Sequence, residues 1–379
     1  MIKTMKIQLL PNNKQKTKLF EMAGVSRFAY NWTIAKEEES YIKEKNFLDH
    51  SELRKQFTQL KKQKDYLWLN NYSNNITKQA IKDAWETYIK FFKQLSGHPK
   101  FKSKKKSKIS FYQDAFKIKF TKTHVKLEKI SKKRILNWIK LAEYDRIPIN
   151  VKYYNPRITF DGLKWWISIG IEVDNNAEIP NNDGIGIDLG IKDLAICSDG
   201  NIYRNINKSQ KIKKHKQRLQ RNVSHKYEKN KEGGRYKKTN RIIKSEKQLL
   251  KLNRKLINIR KNYIHQITTE IINRKPMFIT IENLNVKGMM KNKHLSKAIQ
   301  EQCFYEFYRQ LEYKCKWNNI ELRMVDRFYP SSKTCHHCGK VKKDLKLSDR
   351  IFKCNCGYIE DRDFNASLNL RDAKTYKIA

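Results

Sequence analysis

Three acidic residues stand where an acid is expensive. In GIGIDLG, Asp188 lies inside an apolar strand pattern, with Ile185, Ile187 and Leu189 on the opposite face and Gly186 and Gly190 beside it. Glu282 is set the same way inside FITIENL. A carboxylate in an apolar strand costs free energy unless it is paired or binds a metal. In DRDFNASLNL, Asp361 and Asp363 open a helical pattern whose Ala366 and Leu370 can pack on a sheet. Two strand acids and a helix-start acid could meet at one point. Carboxylate oxygens plus water suit a pair of magnesium ions. The glycines flanking Asp188 are expected to leave room for a phosphate backbone and ions. Each residue also has a plainer reading. A strand Asp can be a satisfied structural residue, and an Asp at a helix start is usually a cap. Asp193, Asp199 and Asp326 read as turn or loop acids.

Four of the seven cysteines form a second constellation, Cys335-x-x-Cys338 and Cys354-x-Cys356, joined by a basic loop. Four thiolates at such spacing fit a closed, structural, tetrahedral zinc site. The second knuckle is one residue shorter than the usual C-x-x-C, and His336 or His337 could replace a ligand. The zinc segment would steady the stretch before Asp363 and present Lys340, Lys342, Lys343 and Lys346 to an anionic partner. Cys197, Cys303 and Cys315 sit in apolar patterns and read as core. This usage fits a reducing compartment and not a disulfide framework.

The elements that must position these residues follow from the patterning. Met5, Ile7 and Leu9 alternate as a strand ending at Pro11. A helical region runs to about residue 95, with Phe20, Ala23, Phe28 and Trp32 on helical spacing, Ser51 as a cap, and Ile81, Trp85 and Ile89 on one stripe. GHPKFKSKKKSK, from Gly97, is a basic loop. Residues 109–173 read as short strands, with Asp161-Gly162 as a type I′ hairpin turn. Joined to the first strand, they suggest a small barrel with the helical block inserted. The aromatic pairs Tyr153-Tyr154 and Trp165-Trp166 read as core of that barrel. DNNAEIPNNDG is a polar linker. Beyond it come the Asp188 strand, a strand ending at Asp199-Gly200, a long basic helical segment over 205–275 and the Glu282 strand. A helix near 296–318, a strand at 320–325, the cysteine cluster and a short helix complete the chain. The fold class is α/β and multidomain.

Composition names the partner. The chain has 379 residues, with 82 Lys+Arg against 38 Asp+Glu, a net charge of +44. Abundant Lys, Asn and Ile indicate an AT-rich genome, but that bias does not explain why acids fail to rise with Lys. A charge of this size points to a polyanion. There is no signal-peptide core and no apolar run of membrane-spanning length, so a cytoplasmic, prokaryotic protein acting at the nucleoid is expected.

The stretches GIDLGIKDLA, TIENLNVKGM, YPSSKTCHHCG and CGYIEDRDFNASLNL resemble the successive RuvC and zinc-ribbon motifs of TnpB. TnpB proteins are insertion-sequence-encoded RNA-guided nucleases related to type V CRISPR effectors, often labelled transposase. PNNKQ…RFAYNW and GHPKFKSK resemble the same family's recognition and wedge regions. The resemblance runs over nearly the whole chain. It implies an RNase H-like (RuvC) nuclease domain at 184–328 and 359–379, interrupted by a zinc ribbon at 329–358. It also implies a β-barrel wedge domain at 1–11 and 97–173, a helical recognition domain at 12–96 and a linker at 174–183. By the same resemblance Asp188, Glu282 and Asp363 are the catalytic acids holding two Mg2+ ions, Asp361 is structural, and Asn365 supports the site. One structural Zn2+ would be held by Cys335, Cys338, Cys354 and Cys356. The implied partners are a guide RNA derived from the transposon end and double-stranded target DNA, with no membrane. A short target-adjacent motif would be read by the N-terminal part, where Asn75 and Gln79, four apart on a helix, could meet base edges. Lys100, Lys102, Lys104, Lys105 and Lys106 would contact RNA phosphates, and the helices of 208–261 an RNA–DNA hybrid. A monomer is expected. Two other functions fit the composition: a nuclease-dead RNA-guided repressor, disfavoured because all three positions remain acidic, and a transposase or its accessory.

Overall fold

In the computed structural model, residues 1–131, 134–174, 177–205, 209–346 and 349–379 are described. The chain folds as two compact units, Met1–Asp174 and Asn175–Ala379. Among the described residues no helix is long and apolar enough to cross a membrane.

In the first unit β1 (Ile2–Leu10) leads into α1 (Asn13–Glu44), α2 (His50–Leu60) and α3 (Asn74–Phe92). Asn12 and Gln15 form a reciprocal capping box at the start of α1, which satisfies two backbone donors that a helix end leaves open. The Gln15 amide also donates to the carbonyls of Leu136 and Trp138, so the cap ties the helix to a distant strand. Asp49 and Ser73 cap α2 and α3. The strands are β2 (Ile109–Tyr112), β3 (Lys119–Phe120), β4 (His124–Lys126), β5 (Trp138–Leu141), β6 (Tyr153–Phe160) and β7 (Trp165–Glu172). With β1 they make a seven-stranded antiparallel sheet in the order β2-β6-β7-β1-β5-β4-β3. The N-terminal strand pairs with β7 from Ile2↔Glu172 to Leu9↔Trp165. Alternate residues Ile7, Leu9, Ile139, Ile158 and Ile167 are buried with Leu19, Met22, Leu53, Phe57 and Ile81 of the helices. Tyr153 and Trp165 belong to this core. The β6–β7 connection corrects the expected type I′ turn. It is a four-residue loop, Asp161–Lys164, in which Gly162 has φ 90°. The Asp161 carboxylate accepts from the backbone N–H of Leu163 and Lys164 and from Trp166 Nε1. A carboxylate that can satisfy three donors selects this longer loop.

The second unit begins with β8 (Ile185–Asp188), β9 (Asp193–Cys197) and β10 (Ile202–Arg204). The expected basic helical segment is two helices, α4 (Gln210–Lys229) and α5 (Asn240–Asn273). Between them lies a small hairpin of β11 (Lys231–Glu232) and β12 (Arg235–Tyr236), where Gly233 and Gly234 supply the left-handed backbone. Then come β13 (Phe278–Glu282), α6 (Val286–Met289), α7 (Ser296–Gln302), α8 (Phe304–Trp317) and β14 (Glu321–Val325). The expected single helix near 296–318 is broken at Cys303, whose φ is 56°. β15 (Ile351–Lys353), β16 (Ile359–Asp361), α9 (Arg362–Arg371) and β17 (Lys377–Ile378) end the chain. The sheet order is β10-β9-β8-β13-β14-β17. Strands β8, β13 and β14 are mutually parallel, and the remaining pairings are antiparallel.

Strand periodicity divides this sheet into two faces. Ile185, Ile187, Ile279 and Ile281 are buried with Ile264 and Ile267 of α5 and Phe307 and Leu311 of α8. Burial of such a side chain contributes about 1.5–3 kcal/mol. The intervening residues Gly186, Asp188, Thr280 and Glu282 belong to the other face, on which α9 packs. A Cβ on Gly186 would lie 2.0 Å from the Ser367 carbonyl oxygen and 2.4 Å from the Arg371 nitrogen. A Cβ on Gly190 would lie 2.9 Å from the Asp193 carbonyl oxygen. The glycines around Asp188 therefore admit the protein's own backbone. For Gly186 the expectation of open space for phosphate is corrected, whereas Gly190 also lines the cavity beside Asp188.

Candidate active site and metal centre

Register brings the two strand acids side by side. The parallel ladder of β8 and β13 runs from Ile279↔Ile185 to Ile281↔Ile187. Asp188 and Glu282 come next on each strand, on the face that carries α9. Asp361 is the N-cap of that helix, accepting from the backbone N–H of Asp363 and Phe364 at 2.9 and 3.0 Å. Its carboxylate is thus engaged in capping, and Asp363 in the first turn faces the cavity. Asp188, Glu282 and Asp363 line one cavity of about 370 Å³ together with Lys192, Lys333, Lys346, Arg350 and Arg362; Asp193, expected as a turn or loop acid, opens β9 and lines it too.

Each acid is held differently. Protein crowding raises the Asp188 carboxyl well above the usual range, and the charges of Glu282 and Asp363 push it further the same way. Burial raises Glu282, opposed by the hydrogen bond it accepts from the Ser331 hydroxyl. Asp363 pairs with Arg362 at 2.9 Å and Arg350 at 3.5 Å. Among the described residues, the four clustered cysteines are the only group of three or more His, Cys, Asp or Glu whose ligand atoms all lie within 4.8 Å of one another. The three carboxylates share a cavity without that closeness.

Sequence reasoning missed Ser331, Arg350 and Arg362. Ser331 lies within YPSSKTC, and it is its burial that marks it out. It is connected backwards as well, because its carbonyl accepts from Asn369 Nδ2 of α9 at 2.7 Å. Asn365, fully buried, spans the same helix and the first cysteine knuckle. Its amide donates to Thr334 O at 2.8 Å and its oxygen accepts from His336 N at 3.1 Å.

The cysteine cluster fits a tetrahedral ion. Cys335 and Cys356 sulfurs are 3.7 Å apart, and those of Cys338 and Cys354 are 3.6 Å apart. A tetrahedron with Zn–S bonds of about 2.3 Å has edges of about 3.8 Å, whereas a disulfide needs about 2.05 Å. The shortened second knuckle closes because Gly357, at φ 90°, donates to Cys354 O at 3.0 Å, as Gly339 at φ 71° donates to Cys335 O. The Cys354 thiol is drawn down to about 7, chiefly by the backbone N–H of Cys356. Cys197 and Cys315 are core residues of the second unit, and Cys303 packs against that core.

In the first unit the predicted base-reading amides are engaged within the chain. Asn75 Nδ2 donates to Asp114 at 2.6 Å, and Gln79 Nε2 donates to Asp83 at 2.9 Å. Arg157 grips Asp83 with both guanidinium nitrogens, at 2.7 and 2.8 Å. Lys102 sets its ammonium 3.4 Å from the centre of the Tyr30 ring. Its backbone bonds both ways with the Asn31 amide, which pins the loop. Lys100, Lys104, Lys105 and Lys106 are exposed.

The fold and these two sites define a class: a multidomain α/β protein with a four-cysteine cluster that could hold a metal ion and a group of acids ringed by cations. Its fold is that of Cas12f1 in complex with single-guide RNA and target DNA, at a TM-score of 0.64 and 16% identity, covering 100% of this chain and 99% of that one. Three family profiles match in chain order. A helix-turn-helix domain of the OrfB/IS605 type matches residues 1–46, OrfB_IS605, described as "Probable transposase", matches 168–293, and the Cas12f1-like TNB domain matches 304–370. A "Putative RNA-guided DNA endonuclease" of Streptomyces pristinaespiralis is 26% identical over 96% of this chain and 87% of its own. The "Putative RNA-guided DNA endonuclease InsQ" of Escherichia coli K12 is 27% identical over 97% and 91%. Along its length the chain is thus similar to proteins of the TnpB/IS605 type, with three family models matched between residues 1 and 370.

Proposed function

We propose that this protein is an RNA-guided DNA endonuclease whose RuvC-like second unit cuts at Asp188, Glu282 and Asp363. The observation that carries the proposal is the register. Two carboxylates leave adjacent parallel strands on one face, a third opens the helix packed there, and all three line one cavity with five cationic side chains. Three acids on one cavity, with Asp188 raised by burial and by the charges of Glu282 and Asp363, are a donor set whose repulsion divalent cations relieve. Bound magnesium would supply an activated water for in-line attack and charge relief at the leaving 3′-oxygen, giving 5′-phosphate and 3′-hydroxyl ends. Asp188, Glu282 and Asp363 would hold the ions. Holding an ion there asks Asp363 to loosen its arginine pairs. Ser331 orients Glu282, and Lys192, Lys333 and Lys346 attract the phosphate backbone.

On this reading the second unit is the RNase H-like domain, with the cysteine segment as a structural zinc ribbon inserted in it. The first unit is the wedge sheet with its recognition helices, which hold guide RNA and the target-adjacent DNA motif. Sequence choice belongs to guide pairing. Asn75 and Gln79 can reach bases only by exchanging their present carboxylate partners. The test is cutting of a target plasmid by the chain with its co-purified RNA and magnesium. Cutting that is lost in Asp188→Ala supports the proposal. A target that is bound but never cut favours a repressor, and strand joining without RNA favours a transposase.

A further inference from the structure

Taking the nuclease function proposed above as given, we propose that the cavity beside Glu282 binds one unpaired nucleobase of the strand being cut, with Tyr305 as its stacking surface. This second cavity, of about 360 Å³, shares the wall residues Glu282 and Leu189 with the acid cavity. A strand whose phosphate reaches Glu282 therefore carries a base within reach of it. The rest of the wall suits a base. Leu284, Val286 and Met324 are aliphatic, and Phe304, Tyr305 and Tyr308 are aromatic.

The backbone break puts those rings there. Cys303 in the left-handed region stops α7 and makes Phe304 the first residue of α8. On α8, Tyr308 is four residues from Phe304 and three from Tyr305, so the rings are neighbours on the helix surface. They differ in burial. Phe304 is 3% exposed and part of the core, Tyr308 packs partly against that core, and Tyr305 is 70% exposed. Tyr305 adds little to folding, yet it presents a ring at the cavity wall. Lys287 and Arg327 line the same cavity. Aromatic surface combined with cations is what a single-stranded nucleic acid requires, the ring for a base and the cation for the adjoining phosphate. An apolar peptide would make no use of the two cations, and the chain's net charge of +44 selects a polyanion. A base held in a duplex cannot enter, so the occupant is unpaired.

The test uses the full chain with its guide RNA. Cut positions are mapped on the target, and 2-aminopurine is placed at each nucleotide flanking a cut. In the Asp188→Ala complex, which leaves the target whole, one flanking position is expected to show quenched fluorescence. The quenching is lost when Tyr305→Ala is added and kept with Tyr305→Phe. In the active chain Tyr305→Ala reduces cutting about 5- to 150-fold, the range of one base–aromatic stack, through KM more than kcat, and Tyr305→Phe cuts like the parent. Equal quenching and equal cutting in Tyr305→Ala overturn the pocket alone. Cutting lost without any quenched position also overturns it, by assigning Tyr305 to the shape of the site. A target left uncut by the parent chain overturns the nuclease function and the pocket with it.

Discussion

Replacing Gly186 with alanine puts a methyl carbon 2.0 Å from the Ser367 carbonyl oxygen and 2.4 Å from the Arg371 backbone nitrogen. Both atoms belong to α9, and helix backbone cannot swing aside as a flexible side-chain tip can. Overpacking of a close-packed interior costs about 1–3 kcal/mol, and two backbone contacts put this substitution near the top, at about 3 kcal/mol. For a unit the size of residues 175–379, each kcal/mol shifts Tm by about 2–4 °C, so a fall of about 6–12 °C is expected. Gly200→Ala is the control. Gly200 has φ 85° but open space around it, so alanine there meets only left-handed strain of about 1–2 kcal/mol. Scanning calorimetry of the full chain, following the transition of the second unit, measures both. Nuclease activity should fall with Gly186→Ala, because α9 carries Asp363. A Gly186→Ala protein that melts with the parent but no longer binds DNA would refute the packing argument. It would return this glycine to a role in admitting phosphate.

Ser331→Ala should lower cutting about 10- to 100-fold with guide and target binding retained, as loss of a group that orients a metal ligand does. The acid limb of its pH–rate profile should move to higher pH, since the lost bond is what holds the Glu282 carboxyl down. An unchanged profile would remove Ser331 from the site. Metal analysis of the purified chain should find one zinc, and Cys356→Ala should lose it and lower the second unit's Tm. A full zinc complement in Cys356→Ala would show that the shortened knuckle is not a ligand pair. In the first unit, burial raises Glu37 to about 7, although it accepts a hydrogen bond from Leu48 N. Its protonated form is favoured by folding, so its contribution is full below the ordinary carboxylate pKa and is lost as pH rises toward 7. The ceiling is about 3 kcal/mol. Discounted for water that reaches the site, Glu37→Gln should stabilise the protein by about 1–2 kcal/mol at pH 8 and by nothing near pH 4. Urea melts at the two pH values would show equal gains if Glu37 does not titrate with folding.

Much of the scaffold was legible because local pattern dictates it. Alternation marked β1, β8 and β13, and the stripe on α3 was visible in Ile81, which is buried. The elements that escaped have weak local signals. β11, β12 and β17 are two exposed residues each, whose strand character comes only from pairing. The break at Cys303 was illegible because cysteine has no preference for a left-handed backbone and tertiary packing imposes it.

By itself the sequence determined that the partner is a polyanion, that four cysteines are spaced for one metal, and that Asp188 and Glu282 stand at odds with their apolar strands. These are properties of composition and of spacing a few residues long. Only the tertiary structure decided that those two acids are neighbours, since they are far apart in the chain and parallel register alone aligns them. It also decided that Asp361 caps while Asp363 faces the cavity, that Gly186 yields to a helix, and that Ser331 reaches Glu282. Such facts depend on which backbone lies against which, and no local pattern carries that information.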